Sequence, residues 1–176
     1  KLKDAKLIYE KIIKKNPSHF DALRLLGSIY VQTKQPQLGL RYLSKALQIN
    51  PNSEVYFFQA IALSALNRLE EALKNYDHAI SFTPNSPIIL VNRGIILNDL
   101  QRFDEAVASF DKALNIEPTN AIAHYNKGNT LNAMKELNKA LLSFDNAIAI
   151  ARNLALAYSE KASILLELSR FDDALE

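Results

Sequence analysis

The 176 residues carry 21 Lys and Arg against 19 Asp and Glu, a formal net charge of +2, with 48% apolar and 23% charged residues and no cysteine. This is the composition of a chain that folds. Interleaved charge of both signs argues against a nucleic-acid surface, which needs clustered Lys and Arg. The absence of cysteine removes disulfides, thiol nucleophiles and zinc–thiolate sites, no apolar run approaches the roughly 18 residues of a membrane span, and no signal peptide is legible.

Taken in chain order, the sequence repeats itself. Residues 1–19, "KLKDAKLIYEKIIKKNPSH", read as an amphipathic helix stopped by Pro17. Residues 20–52 read as two helices, the second opening "PQLGLRYLSKALQINPNS" at Pro36. Residues 53–86 repeat the pair, with "LEEALKNYDHAISFTPNS" from Leu69; residues 87–120 do so again, with "FDEAVASFDKALNIEPTN" from Phe103. Residues 121–154 carry "LNKALLSFDNAIAIARNL" from Leu137, and 155–176 begin one more copy that stops at "FDDALE". The period is 34 residues, and a period of that order means stacked supersecondary units. The chain starts without Met inside one copy and stops inside another, so a longer parent protein is expected.

The copy at 87–120 predicts a helix A over about Pro87 to Leu100 and a helix B over about Asp104 to Glu117. Apolar residues recur at helical spacing, as in Leu90, Leu97 and Leu100, then Ala106, Phe110 and Ala113. Asp104 is expected as the N-cap of helix B, and Asp172 as its counterpart. Pro17, Pro51, Pro84 and Pro118 stop the B helices. Small residues line up through the A helices (Gly27, Ala60, Gly94, Gly128, Ala162) and the B helices (Gly39, Ala72, Ala106, Ala140, Ala174). Large ones stand opposite: Tyr9, Leu43, Tyr76, Phe110 and Phe144. A glycine inside a helix costs about 1 kcal/mol, so this pattern predicts close approach of helices, with large-into-small contacts locking one hairpin onto the next.

On these residues the chain resembles the tetratricopeptide repeat (TPR) family over its whole length. The resemblance implies an all-α fold, a right-handed α-solenoid or superhelix of stacked antiparallel helix pairs, in a single array over 1–176. The early tryptophan of the family is replaced by Leu23, Tyr56, Leu90, His124 and Tyr158, and Arg152 stands in place of a closing proline. Arg93, Lys127 and Lys161 occupy a position that is usually aliphatic, where the stems are expected to pack and the heads to reach water. Asp77, Asp111 and Asp145 recur once per repeat and read as structural.

The resemblance further implies a non-catalytic scaffold whose A helices line a concave face that holds a peptide or partner protein. The residues expected on that face are Phe57 and Ile61; Val91, Asn92, Ile95 and Asn98; and Tyr125, Asn126, Asn129 and Asn132. Ile88 and Ile122 are expected on the same side of these helices. Apolar side chains would anchor a ligand and the amides would bond its backbone, since an amide both donates and accepts. The carboxylate clamp of chaperone-binding TPR domains is not matched, because Ser28, Phe58 and Ile88 stand where its polar residues belong. Asn92 and Asn126 match the asparagine ladder of the protein O-linked N-acetylglucosamine transferases, whereas Leu25, Phe58 and Glu160 do not. The opening block and the later "NRG" and "FDEA" runs are similar to TPR regions of large bacterial proteins of the glycosyltransferase type, which implies as an alternative a substrate-docking arm of a larger enzyme. A further alternative is self-association through apolar repeat ends. No metal or cofactor is expected: His19, His78 and His124 share no spacing that places two on one helix face, and there is no phosphate-binding loop.

Overall fold

A computed structural model describes residues 2–168; the expectations for Asp172 and Ala174 lie outside those residues. The described residues form ten α-helices: α1 (Leu2–Lys15), α2 (Phe20–Gln32), α3 (Pro36–Ile49), α4 (Ser53–Ala65), α5 (Leu69–Phe82), α6 (Pro87–Asp99), α7 (Phe103–Ile116), α8 (Ala121–Ala133), α9 (Leu137–Ile150) and α10 (Ala155–Glu167). The even-numbered helices are the A helices and the odd-numbered ones the B helices of the repeat. The chain divides into two compact units, Lys1–Pro84 and Asn85–Glu176.

The turn inside each hairpin is the same object four times. Lys34, Asn67, Gln101 and Lys135 all adopt positive φ, between 57° and 61°. Each sits just past its A helix, where a left-handed residue lets the chain fold back on the last turn. The bonds repeat accordingly: Gln35 N to Tyr30 O at 2.8 Å with Lys34 N to Val31 O at 3.1 Å, and Arg102 N to Leu97 O at 2.8 Å with Gln101 N to Asn98 O at 2.9 Å. No glycine occupies any of these positions, which is why the turn is inconspicuous in the sequence.

Side-chain caps occur only on A helices, on α2, α4 and α8 but not on α6 or α10, among the described residues. Among the A helices, the Asn52 and Asn120 side chains accept from Val55 N (3.1 Å) and Ala123 N (2.9 Å), and His19 Nδ1 accepts from Ala22 N. The B helices α3, α5, α7 and α9 have no side-chain cap bond. Asp104 is therefore not the N-cap expected from the sequence. Helix α7 begins one residue earlier, at Phe103, with Arg102 at the cap position, and Asp104 lies in the first turn, where its charge favours the helix dipole. Arg102 also makes a two-pronged ion pair to Glu105 at 2.7 and 2.8 Å, as Arg68 does to Glu71 at 2.7 Å twice.

The large-into-small contacts close each hairpin on itself, rather than locking one hairpin onto the next as expected. A methyl group built on Gly94 of α6 would stand 2.6 Å from Phe110 Cε1 of α7, and one on Gly128 of α8 would stand 2.7 Å from Phe144 Cε1 of α9. In the first unit, Gly27 of α2 faces Leu43 of α3 at 2.7 Å in the same sense. Phe110, Phe144, Leu43 and Tyr76 are all buried. Tyr9, at the matching position of α1, is half-buried, and α1 buries no residue fully.

Hairpins are joined to one another by apolar packing and by a recurring ion pair. In the first unit Leu23, Leu43, Ala46 and Val55 form a core against which Ile13, Phe20, Val31 and Phe58 pack. The Tyr30 and Tyr42 rings stack with centroids 5.5 Å apart, and the Tyr30 hydroxyl donates to Glu10 at 2.9 Å. In the second unit Leu131, Ala140, Phe144, Ala147, Ala157 and Ile164 form the core. The Lys127 ammonium reaches back to Asp111 of the preceding hairpin at 2.6 Å, and that of Lys161 to Asp145 at 3.1 Å. The heads of these lysines thus end on carboxylates, not in free water, and two of the once-per-repeat aspartates, Asp111 and Asp145, are their partners. Arg93 donates to the Ser109 hydroxyl at 2.8 Å.

Candidate functional site

A helix presents residues i, i+4, i+7 and i+11 on one face. On α6 these are Ile88, Asn92, Ile95 and Asp99; on α8 they are Ile122, Asn126, Asn129 and Ala133; on α10 they are Leu156, Glu160, Ser163 and Glu167. Helices α6, α8 and α10 are neighbours in the second unit, so the three sets stand side by side. The first row across them is apolar and open: Ile88, Ile122 and Leu156 are 59%, 61% and 59% exposed. One exposed aliphatic residue is ordinary, whereas three in register on adjacent helices form a surface. Leu156 was missed in the sequence, although a step of one period from Ile122 leads to it.

The second row supplies amides. Asn92 Nδ2 donates to the Ile88 carbonyl at 2.7 Å, and Asn126 Nδ2 to the Ile122 carbonyl at 2.8 Å. These bonds hold both side chains against their own helices and leave Oδ1 and the second N–H of each for a ligand. Ile95 and Asn129 are half-buried in the third row. Partial burial of the Asp99 carboxyl, in a residue otherwise well exposed, raises its pKa above the usual carboxylate value. Asn129, Asn132, Ala133, Lys135, Glu160 and Glu167 line a cavity of about 400 Å³ between α8 and α10, with Lys135 paired to Glu167 at 3.1 Å.

The remaining residues singled out from the sequence are committed elsewhere. Val91 is only 6% exposed and offers no anchor. Tyr125 packs on Phe144 of its own hairpin, ring centroids 6.0 Å apart. Phe57, in the first unit, packs edge-on against Tyr76 at 6.2 Å and Phe58 at 5.5 Å. Phe57, Val91 and Tyr125 occupy the same repeat position, one residue off the open face. Asn98 Oδ1 lies 2.9 Å from the buried Thr130 hydroxyl, whose single proton is shared with the Asn126 carbonyl oxygen at 3.0 Å. In the first unit Ile61 is half-buried on α4, Phe58 beside it packs into the core, and Arg24 of α2 binds Asp21 on its own helix and Glu54 of α4.

A second cavity of about 470 Å³ lies among α7, α8 and α9. Both lysines that line it are already paired: Lys127 with Asp111, and Lys139, which lies 2.5 Å from Glu136 Oε2. His19 caps α2, His78 stacks on Tyr56 with centroids 4.9 Å apart, and His124 Nε2 lies 3.1 Å from the Pro118 carbonyl oxygen. Among the described residues no group of three His, Cys, Asp or Glu could hold a metal ion, and no helix is long and apolar enough to cross a membrane.

Antiparallel helical hairpins in register, each unit stacking its A helices side by side, place the molecule among the helical-repeat scaffolds. The chain belongs to the tetratricopeptide repeat family: profiles described as tetratricopeptide repeat match residues 1–54 and 121–154, and one described as TPR repeat matches 62–100 and 94–134. Among solved structures it is similar to YrrB, described as a TPR protein with an unusual peptide-binding site, with a TM-score of 0.81 and 26% identity over 91% of this chain and 83% of that one. It shares its fold with MamA, with a TM-score of 0.81 and 19% identity over 88% and 91% of the two chains. Two curated relatives match in part. Protein O-mannosyl-transferase TMTC1 of Mus musculus is 28% identical over 52% of this chain, and the peroxisomal targeting signal receptor of Pichia angusta is 32% identical over 45% of it. The matches span only 10% and 13% of the lengths of those two proteins.

Proposed function

We propose that the chain is a non-catalytic binding module that holds an extended peptide segment, or such a segment of a partner protein, on the face of α6, α8 and α10. The observation that carries this reading is the row Ile88, Ile122 and Leu156, more than half exposed on three adjacent helices and flanked by the Asn92 and Asn126 amides. Apolar side chains of a ligand seat on the row, and the free amide groups bond its backbone. Asn129, Asn132 and Ile95 extend the same face, and Ile61 is the residue of the first unit with the corresponding aspect. The likeness to YrrB, described as having an unusual peptide-binding site, supports the reading.

The test is a pull-down from the source cell extract with wild type and an Ile122→Ser/Asn126→Ala variant, alongside thermal melts of both. A partner lost with an unchanged Tm supports the face; a partner retained moves recognition elsewhere. A second reading, a substrate-docking arm of a larger transferase, draws on the partial match to the O-mannosyl-transferase. It predicts that the same variant slows modification of protein substrates by the parent enzyme without slowing that of short acceptors. Self-association has one supporting feature, the exposed Leu7 and Ile8 on α1 beside a cavity lined by Ile8, Lys11, Ile12, Lys14 and Lys15. Sedimentation over a concentration range tests it, and a Leu7→Ser/Ile8→Ser variant should abolish any dimer seen.

A further inference from the structure

Resting on the peptide-binding reading, we infer that the segment held by α6, α8 and α10 is cationic as well as apolar, with apolar side chains at every third residue along Ile88, Ile122 and Leu156 and a Lys or Arg side chain in the cavity beside Glu160. The spacing comes first. Packed helices stand about 8–10 Å apart. A polyproline II segment rises about 3.1 Å per residue with three residues per turn, so its side chains return to one side every 9 Å or so. That interval falls within the range general to packed helices, and so suits a row of side chains set one per A helix. A β-strand returns to one side every two residues, at roughly 6.6 Å, and falls out of register with the row.

The charge comes from the other end of the same face. Of the three charged residues lining the cavity between α8 and α10, Lys135 and Glu167 neutralise each other at 3.1 Å. Glu160 is half-buried, and no cation among the described residues pairs with it. Asn129 and Asn132 line the same space with side-chain carbonyls able to accept from an ammonium or guanidinium group. Asp99 on α6 adds a carboxylate to the same face, whereas no Lys or Arg stands in the four rows of α6, α8 and α10. An acidic segment would find here two carboxylates and a single ammonium, that of Lys135, already paired with Glu167. A basic side chain meets a partly desolvated carboxylate, where pairing is stronger than on open surface.

The experiment is selection from a phage-displayed library of random dodecapeptides on the purified chain, as wild type, Ile122→Ser and Glu160→Lys, with circular dichroism melts to confirm folding. The expected result is enrichment of peptides with apolar residues three apart and a Lys or Arg among them. The best peptide, synthesised, should lose at least about tenfold in affinity when its basic residue becomes Glu, a difference worth about 1.4 kcal/mol. On Glu160→Lys the preference should reverse. If selected peptides need Ile122 but carry no basic residue, or bind Glu160→Lys as well as wild type, the charge inference falls and the binding face stands. If no peptide is enriched, or the enriched ones ignore Ile122→Ser, both fall.

Discussion

Gly94→Ala sets a helix-propensity gain against a packing loss. Alanine is favoured over glycine in a helix by about 1 kcal/mol, and by that measure alone the substitution stabilises. The new methyl group, however, would stand 2.6, 2.8 and 3.0 Å from Phe110 Cε1, Cζ and Cδ1. Comfortable carbon contacts lie near 3.5–4.0 Å, so the ring must retreat by about 1 Å. Phe110 is 0% exposed and cannot swing into solvent. Overpacking of this kind costs about 1–3 kcal/mol, which leaves a net destabilisation of about 1 kcal/mol. The α4–α5 hairpin shows what accommodation needs: Ala60 and Tyr76 occupy the equivalent positions, both buried, in a hairpin built around that methyl group. The assay is urea unfolding of wild type, Gly94→Ala, Phe110→Leu and the double variant. The two substitutions should couple favourably by about 0.5 kcal/mol or more. Additive effects, or a Gly94→Ala that is more stable than wild type, would refute the packing argument.

Gln101→Gly should raise stability by about 0.5–1 kcal/mol in the same assay, because Gln101 holds φ at 59° where only glycine is free of strain; a loss would show that the Gln101 side chain contributes more than its strain costs. A cycle of Lys127→Met and Asp111→Asn should give a coupling of about 0.5–1 kcal/mol that shrinks in high salt, since the pair is partly exposed; zero coupling would make the repeated aspartates incidental. Burial pushes the Tyr76 phenol well above its ordinary pKa. Its contribution is whole below the unfolded value near pH 10 and is lost as pH rises beyond it, by about 1.4 kcal/mol per pH unit. Tyr76→Phe should remove that part of the alkaline loss while leaving stability near pH 7 almost unchanged, and an unaltered alkaline limb would sink the assignment.

The repeat, the helix pairs and their order follow from local information: apolar spacing, proline stops and small residues at one phase are properties of neighbouring residues, and a period of this length leaves few architectures open. The asparagines of α6 and α8 were legible for the same reason. What the sequence alone misplaced was a matter of one residue's rotation about a helix. Phe57, Val91 and Tyr125 stand next to the open face but turn away from it: the two rings pack on Tyr76 and Phe144 of their own hairpins, and Val91 is buried, because apolar side chains gain by burial. Ile88, Ile122 and Leu156, one turn earlier, are left open. The small residues at Gly94 and Gly128 announced close contact without naming the partner, and only the tertiary structure assigned them to the ring within the same hairpin. It also decided the charges: which lysines end on aspartates of the preceding hairpin, and that in the cavity between α8 and α10 Lys135 pairs with Glu167, leaving Glu160 with no cation paired to it among the described residues. Helix formation depends on residues a few places apart, whereas burial and charge pairing depend on residues brought together only when hairpins stack.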